Sequence, residues 1–123
     1  MRKRSLHGLR RRLLKHAMTK KMNEEQLLIE YIERIKRNYP RSTIILFGSR
    51  AKGGQLPYSD YDIAVVLENI DDKLEMTIKL RRLKPHGLDL DLIVLDKREL
   101  EDPMIKAMLE EKRILYDGLS IRF

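Results

Sequence analysis

The residues best equipped for chemistry lie between Ile44 and Val66, in the run IILFGSRAKGGQLPYSDYDIAVV. An apolar stretch ends there at Gly48 and Ser49, a short glycine-bearing loop follows, and a second apolar stretch opens on Asp60, Tyr61 and Asp62. Side chains two apart on a strand share a face, so a strand over 60–67 sets Asp60 and Asp62 side by side. Carboxylates placed this way repel, and a divalent cation between them removes the repulsion. A Gly-Ser turn leading into a short helix offers backbone N–H groups and a hydroxyl to a phosphate. A cation site beside a phosphate grip is the equipment of nucleotide chemistry. Further acids stand in LDLDLIVL, where Asp89 and Asp91 have the same parity, so periodicity does not choose between them. Asp96 falls past this site, His86 reads as a solvated turn residue, and Ser59 as an organiser of the turn before Asp60. No GxxxxGK[ST] loop occurs, which argues against an ATPase of that kind.

These side chains need a sheet to hold them. Ser42–Phe47 is β-branched and apolar and reads as a buried strand, with Asp60–Leu67 the second and Leu88–Leu95 the third. Between the first two, Arg50–Gln55 is a short helix or turn broken by Gly53, Gly54 and Pro57. Ahead of them a helix is expected from Asn23 as its cap, with Glu24 and Glu25 in the first turn. Leu28, Ile32, Ile35 and Tyr39 line its inner face, and Pro40 stops it. Tyr31 and Tyr39 could stack a base, although a tyrosine on an amphipathic helix is more often core. A second helix is predicted over 71–83, with Asp71 near its start and Leu74, Ile78 and Leu83 inward. Its basic end, Lys79, Arg81, Arg82 and Lys84, is explained by the negative helix terminus alone. A helix over Leu100–Glu111 burying Ile105, Met108 and Leu109, then a short strand over Arg113–Tyr116, complete the pattern. The alternation predicts an α+β fold, a small mixed sheet with helices packed on it.

Composition narrows the classes. A chain of 123 residues supports one domain with a modest core. Without cysteine there is neither a disulfide nor a thiolate metal site, so any metal falls to oxygen ligands or to His7, His16 and His86. No apolar run reaches the roughly 20 residues of a membrane span, and the basic N-terminus lacks a signal peptide's apolar segment. A cytoplasmic protein is the expectation. Charged residues make up 37% of the chain, many of them Lys, Arg and Glu, a bias compatible with a thermophilic source. The net charge of +7 is unevenly spread: residues 1–22 hold nine Lys and Arg and no acid, leaving 17 basic residues against all 19 acidic ones. The high pI therefore describes an arm, 1–22, and not the domain expected over 23–118 or the tail over 119–123. If helical, the arm would align Leu6, Leu9, Leu13 and Met18, a stripe suited to nucleic acid through residues 2–21, an anionic surface or a partner. The competing reading, which is favoured, is a solvated tail or residues upstream of an internal start at Met18 or Met22.

The string GSRAKG, the ten residues between Ser49 and Asp60, and SDYD opening an apolar strand resemble the signature of the DNA polymerase beta superfamily of nucleotidyltransferases. The small size is similar to its minimal nucleotidyltransferase branch. The resemblance extends over 23–118, including a DLIVLD strand, a helix and a final RILYD strand. It implies the nucleotidyltransferase fold, with Gly48 and Ser49 on the nucleotide's terminal phosphates; Arg50 and Lys52 stand where the family often has basic residues, and either bind phosphate or solvate a helix. It implies Asp60, Asp62 and Asp91 as catalytic carboxylates and ligands of two Mg²⁺ ions, with Mn²⁺ the alternative. Asp91 rather than Asp89 is selected because the family places one aspartate directly before a run such as LIVLD. The implied reaction moves an NMP, AMP from ATP, to an acceptor hydroxyl. Larger members add a helical domain, and in the minimal branch a small helical partner of the HEPN type supplies that half. The nucleotidyltransferase then acts as an antitoxin by adding AMP to its partner. A catalytically silent binding module, nucleic-acid binding by the arm, and a homo-oligomer remain as alternatives.

Overall fold

The computed structural model describes residues 23–48, 51 and 60–123. The expectations for the arm 1–22, for Ser49, Arg50 and Lys52, and for Ser59 lie outside the described residues. Helix α1 occupies 23–38 and is already helical at Asn23, so that residue lies within the helix and does not cap it. Tyr31 and Ile35, one turn apart, are its fully buried positions, with Leu27, Leu28, Ile32 and Tyr39 packed around them. Tyr31 is a core residue and not a base platform, because its hydroxyl donates to the Leu80 carbonyl at 2.8 Å. Pro40 follows the helix, and Ser42 Oγ donates back to the Tyr39 carbonyl at 2.6 Å.

Four strands form one sheet: β1 (Thr43–Phe47), β2 (Tyr61–Leu67), β3 (Leu90–Asp96) and β4 (Lys112–Asp117), in the order β3-β2-β1-β4. β1 runs antiparallel to both β2 and β4, whereas β2 and β3 are parallel. A parallel pair needs a crossover, and helix α2 (Lys73–Arg82) supplies it. The sheet is mixed and the fold is α+β, as the alternation of elements predicted. The two central strands are buried on both faces, which is why TIILF and YDIAVVL read as continuous apolar runs. Ile44, Leu46, Ile63 and Val65 face α1 and α2, whereas Ile45, Ala64, Val66 and Leu95 face the other way.

Two helices depart from expectation. Asp72 caps α2, accepting from the Glu75 N–H at 3.0 Å, and the inward residues are Leu80, fully buried, with Met76 and Leu83. Leu74 is 72% exposed and Ile78 45% exposed, so the inner face predicted through them is the outer one. The stretch KLEMTIKLRR fits two apolar phases, and the one containing Leu80, Met76 and Leu83 meets α1. The expected helix over 100–111 is instead a 3-10 turn (Lys97–Glu101) followed by helix α3 (Pro103–Met108). Proline lacks the N–H that an unbroken helix requires and sits at a first-turn position. Asp102 caps that new start by accepting from the Met104 N–H at 2.8 Å. Leu109, Ile105 and Met108 still join the second cluster, as predicted, and Leu119 and Ile121 pack there too.

Asp96 lies outside the site and locks this corner. Its carboxylate accepts from the Ile70 N–H at 3.0 Å, the Arg98 N–H at 3.1 Å and the Arg98 guanidinium at 3.1 and 3.2 Å. The Arg98 bonds, chiefly from the side chain, hold its carboxyl far below the ordinary carboxylate range.

Candidate active site

Register places the candidate acids. Asp62 pairs with Asp91 across the parallel β2–β3 ladder, and with Phe47 on β1, which in turn pairs with Lys112 on β4. Directly paired residues in neighbouring strands point to the same face. Asp91, Asp62, Phe47 and Lys112 therefore form one row across the sheet, on the face opposite α1 and α2. Asp60 immediately precedes β2, in phase with Asp62, and is exposed, as is Asp91. Asp89 lies one residue outside β3, with no partner in the β2–β3 ladder. His86 is exposed in the turn before it.

Electrostatics ties the three acids together. The Asp62 carboxyl is held above its usual range first by burial, then by the negative charge of Asp91, then by that of Asp60. Among the described residues no three His, Cys, Asp or Glu side chains converge tightly enough to form a ready cation cage. Three like charges sharing a face keep apart unless a cation draws them in. As donors they are all hard carboxylate oxygens, the set that suits magnesium. The residues present therefore fit a divalent cation held by Asp62 and Asp91 with Asp60 alongside.

Gly48 is built into the same corner. It follows β1 with φ at +75°, a conformation that side chains disfavour. A Cβ added there would stand 2.5 Å from Asp62 Oδ2 and 3.4 Å from its Cγ. Its carbonyl accepts from the N–H of Ala51, a helical residue, at 3.2 Å. Glycine at this point thus serves the acid as well as any phosphate.

Lys112 and Phe47 are neighbours of the site that the sequence reading did not single out. The Lys112 ammonium donates to the Leu109 carbonyl at 3.3 Å and sits 4.9 Å from the Phe123 ring centre. The RILYD strand begins at Arg113, one residue after Lys112, and the place of Lys112 in the row depends on register.

Residues 28–116 match the family model for the nucleotidyltransferase domain. Two proteins of Methanocaldococcus jannaschii, each named "Putative protein adenylyltransferase", are similar to this chain. One is 35% identical over 103 residues, covering 77% of this chain and 100% of the relative. The other is 30% identical over 111 residues, covering 78% of this chain and 76% of the relative. The crystal structure of a "putative nucleotidyltransferase" from Sulfolobus solfataricus superposes with a TM-score of 0.61 at 26% identity, over 82% of this chain and 86% of that one. No helix among the described residues is long and apolar enough to cross a membrane. On the strength of a family match spanning most of its length, the chain belongs to the nucleotidyltransferase domain family and is a nucleotidyltransferase.

Proposed function

We propose that this protein moves AMP from ATP to a hydroxyl group on a partner protein, using Asp60, Asp62 and Asp91 as its catalytic carboxylates. The observation that carries this reading is the Asp62–Asp91 pair, set in register on one face and crowded by Asp60 at the mouth of the Gly48 turn. Relatives of similar length named as protein adenylyltransferases favour AMP as the group and a protein as the acceptor.

In this reading the triphosphate lies along the Gly48 turn, with Ser49, Arg50 and Lys52 as its phosphate ligands. Asp60, Asp62 and Asp91 would hold magnesium, which when bound supplies charge neutralisation for the phosphates and for the departing pyrophosphate. The acceptor oxygen attacks the α-phosphorus in line. The bond to the bridging oxygen breaks, and the proton passes from the hydroxyl to the Asp91 carboxylate, which is exposed to receive it. Asp62 is partly buried, and the missing side chain at Gly48 leaves its carboxylate the room it occupies. The resemblance of the motifs to the minimal branch supports a helical HEPN-type acceptor and an antitoxin role.

The test is the intact mass of the adjacent gene's product after co-expression with this protein, wild type against Asp60→Ala/Asp62→Ala. Added AMP units that vanish with the variant are the expected result. A partner that co-purifies without modification would replace this reading with neutralisation by contact alone.

A further inference from the structure

The face that carries Asp62 and Asp91 also carries a cavity of about 620 Å³, floored by Leu109 and Ile121 of the second cluster. Its rim is basic: Lys97, Lys106, Lys112 and Arg122 line it against one acid, Glu101. Lys106 lies 3.6 Å from Glu101, and Lys97 lies 3.7 Å from Glu68 outside the cavity, both in solvent-exposed pairs that bind their charges weakly. Arg122 pairs with no acid among the described residues. The rim therefore keeps a positive balance above an apolar floor.

Lys112 fixes where the cavity lies relative to the carboxylates, since it lines the one and stands in the row of the other. Two strand spacings of ~4.8 Å put its backbone roughly 10 Å from that of Asp62. We propose that this cavity seats an acidic, apolar-anchored segment of the protein acceptor, with its carboxylates on Lys106, Lys112 and Arg122. This inference rests on the protein-acceptor reading above and names the kind of sequence that would be accepted. An extended chain advances about 3.3–3.6 Å per residue, so the acceptor hydroxyl lies about three residues from the first acidic side chain. Charge also sets direction, because the Asp60, Asp62 and Asp91 cluster repels an acidic segment from the opposite end of the path.

The experiment uses the full chain and two fluorescein-labelled peptides, Tyr-Gly-Gly-Glu-Leu-Glu-Asp and Tyr-Gly-Gly-Lys-Leu-Lys-Lys. Binding is read by polarisation, and AMP transfer from labelled ATP is read separately. The acidic peptide should bind more tightly than the basic one, and Lys106→Glu/Arg122→Glu should weaken it on the order of tenfold. ATP should not displace it, and Asp62→Asn should leave its binding intact while abolishing transfer. Equal affinity for the two wild-type peptide complexes would overturn the inference without recourse to any variant. So would binding indifferent to charge reversal, or displacement by ATP, which would make the cavity a nucleotide site. The two readings fail separately: tight binding with no transfer to any protein sinks the proposed chemistry, whereas protein AMP transfer indifferent to Lys106→Glu/Arg122→Glu sinks this inference.

Discussion

Gly48→Ala tests whether the turn after β1 serves the carboxylates. The substituted residue must hold φ at +75°, which costs an L-residue about 1–2 kcal/mol. Its Cβ also arrives 2.5 Å from Asp62 Oδ2, closer than two such atoms tolerate. That oxygen ends a side chain and can rotate away, so the collision adds about 0.5 kcal/mol to the strain and moves the carboxylate out of the Asp62–Asp91 row. The expected loss of stability is about 1.5–2.5 kcal/mol, a fall in Tm of about 4 °C per kcal/mol for a chain of 123 residues. Activity should fall much further, on the order of 100-fold, as a displacement of about 1 Å at a reacting centre allows. Thermal unfolding gives the first number, and AMP transfer well below the lowered Tm gives the second. A cycle with Asp62→Ala isolates the contact, because Gly48→Ala should then cost only the backbone strain, a coupling of about 0.5 kcal/mol or more. Activity that tracks the folded fraction, or strict additivity in the cycle, would refute the argument.

Other substitutions probe the remaining elements. Asp62 carries a carboxyl raised by burial and by Asp91 and Asp60, so ionising it in the folded state costs stability as pH rises through its shifted value. Asp62→Asn should therefore be the more stable protein at neutral pH without divalent cations, an advantage that fades below pH about 4; magnesium should raise the Tm of the wild type only. Asp96 runs in the opposite direction: its lowered carboxyl stabilises the fold above pH about 4, and acid titration should erode that contribution in wild type more than in Asp96→Asn. Denaturant unfolding should show Leu80→Ala costing about 2–5 kcal/mol and Leu74→Ala within about 0.5 kcal/mol of wild type, the reverse ranking being incompatible with the observed phase of α2. Gly118→Ala would drive a methyl into the Pro40 carbonyl and within 2.7 Å of the Ser42 carbonyl, whose bond to the Gly118 N–H closes the β1–β4 end. It should cost about 1–3 kcal/mol with no direct effect on the carboxylates.

Much of this molecule could be read from residue types alone, and what could not shares a physical cause. Strand identity followed from the apolar runs, and the shared phase of Asp60 and Asp62 followed from their spacing, because both are local properties of the chain. The face of α2 did not, since Leu74 and Ile78 satisfy the helical period as well as Met76, Leu80 and Leu83 do. Only the contact with α1, where Tyr31 reaches the Leu80 carbonyl, decides between them. The break at Pro103 was legible and was passed over: a proline preceded by aspartate is a helix start, as the Asp102 cap bears out. Asp89 and Asp91 are the sharpest case. Parity makes them equivalent, and family pattern had to choose; the ladder distinguishes them because Asp91 has a partner on β2 and Asp89 does not. Lys112 belongs to the same class, since a strand's own sequence does not say which residue of another strand it will face. A one-residue slip of β4 would turn Lys112 to the other face and take the basic rim away from the carboxylates. Register across β1, then, is what joins the acidic row to the cavity beside it, and it is held by contacts as remote from the site as Thr43 Oγ1 donating to Asp117 at 2.8 Å.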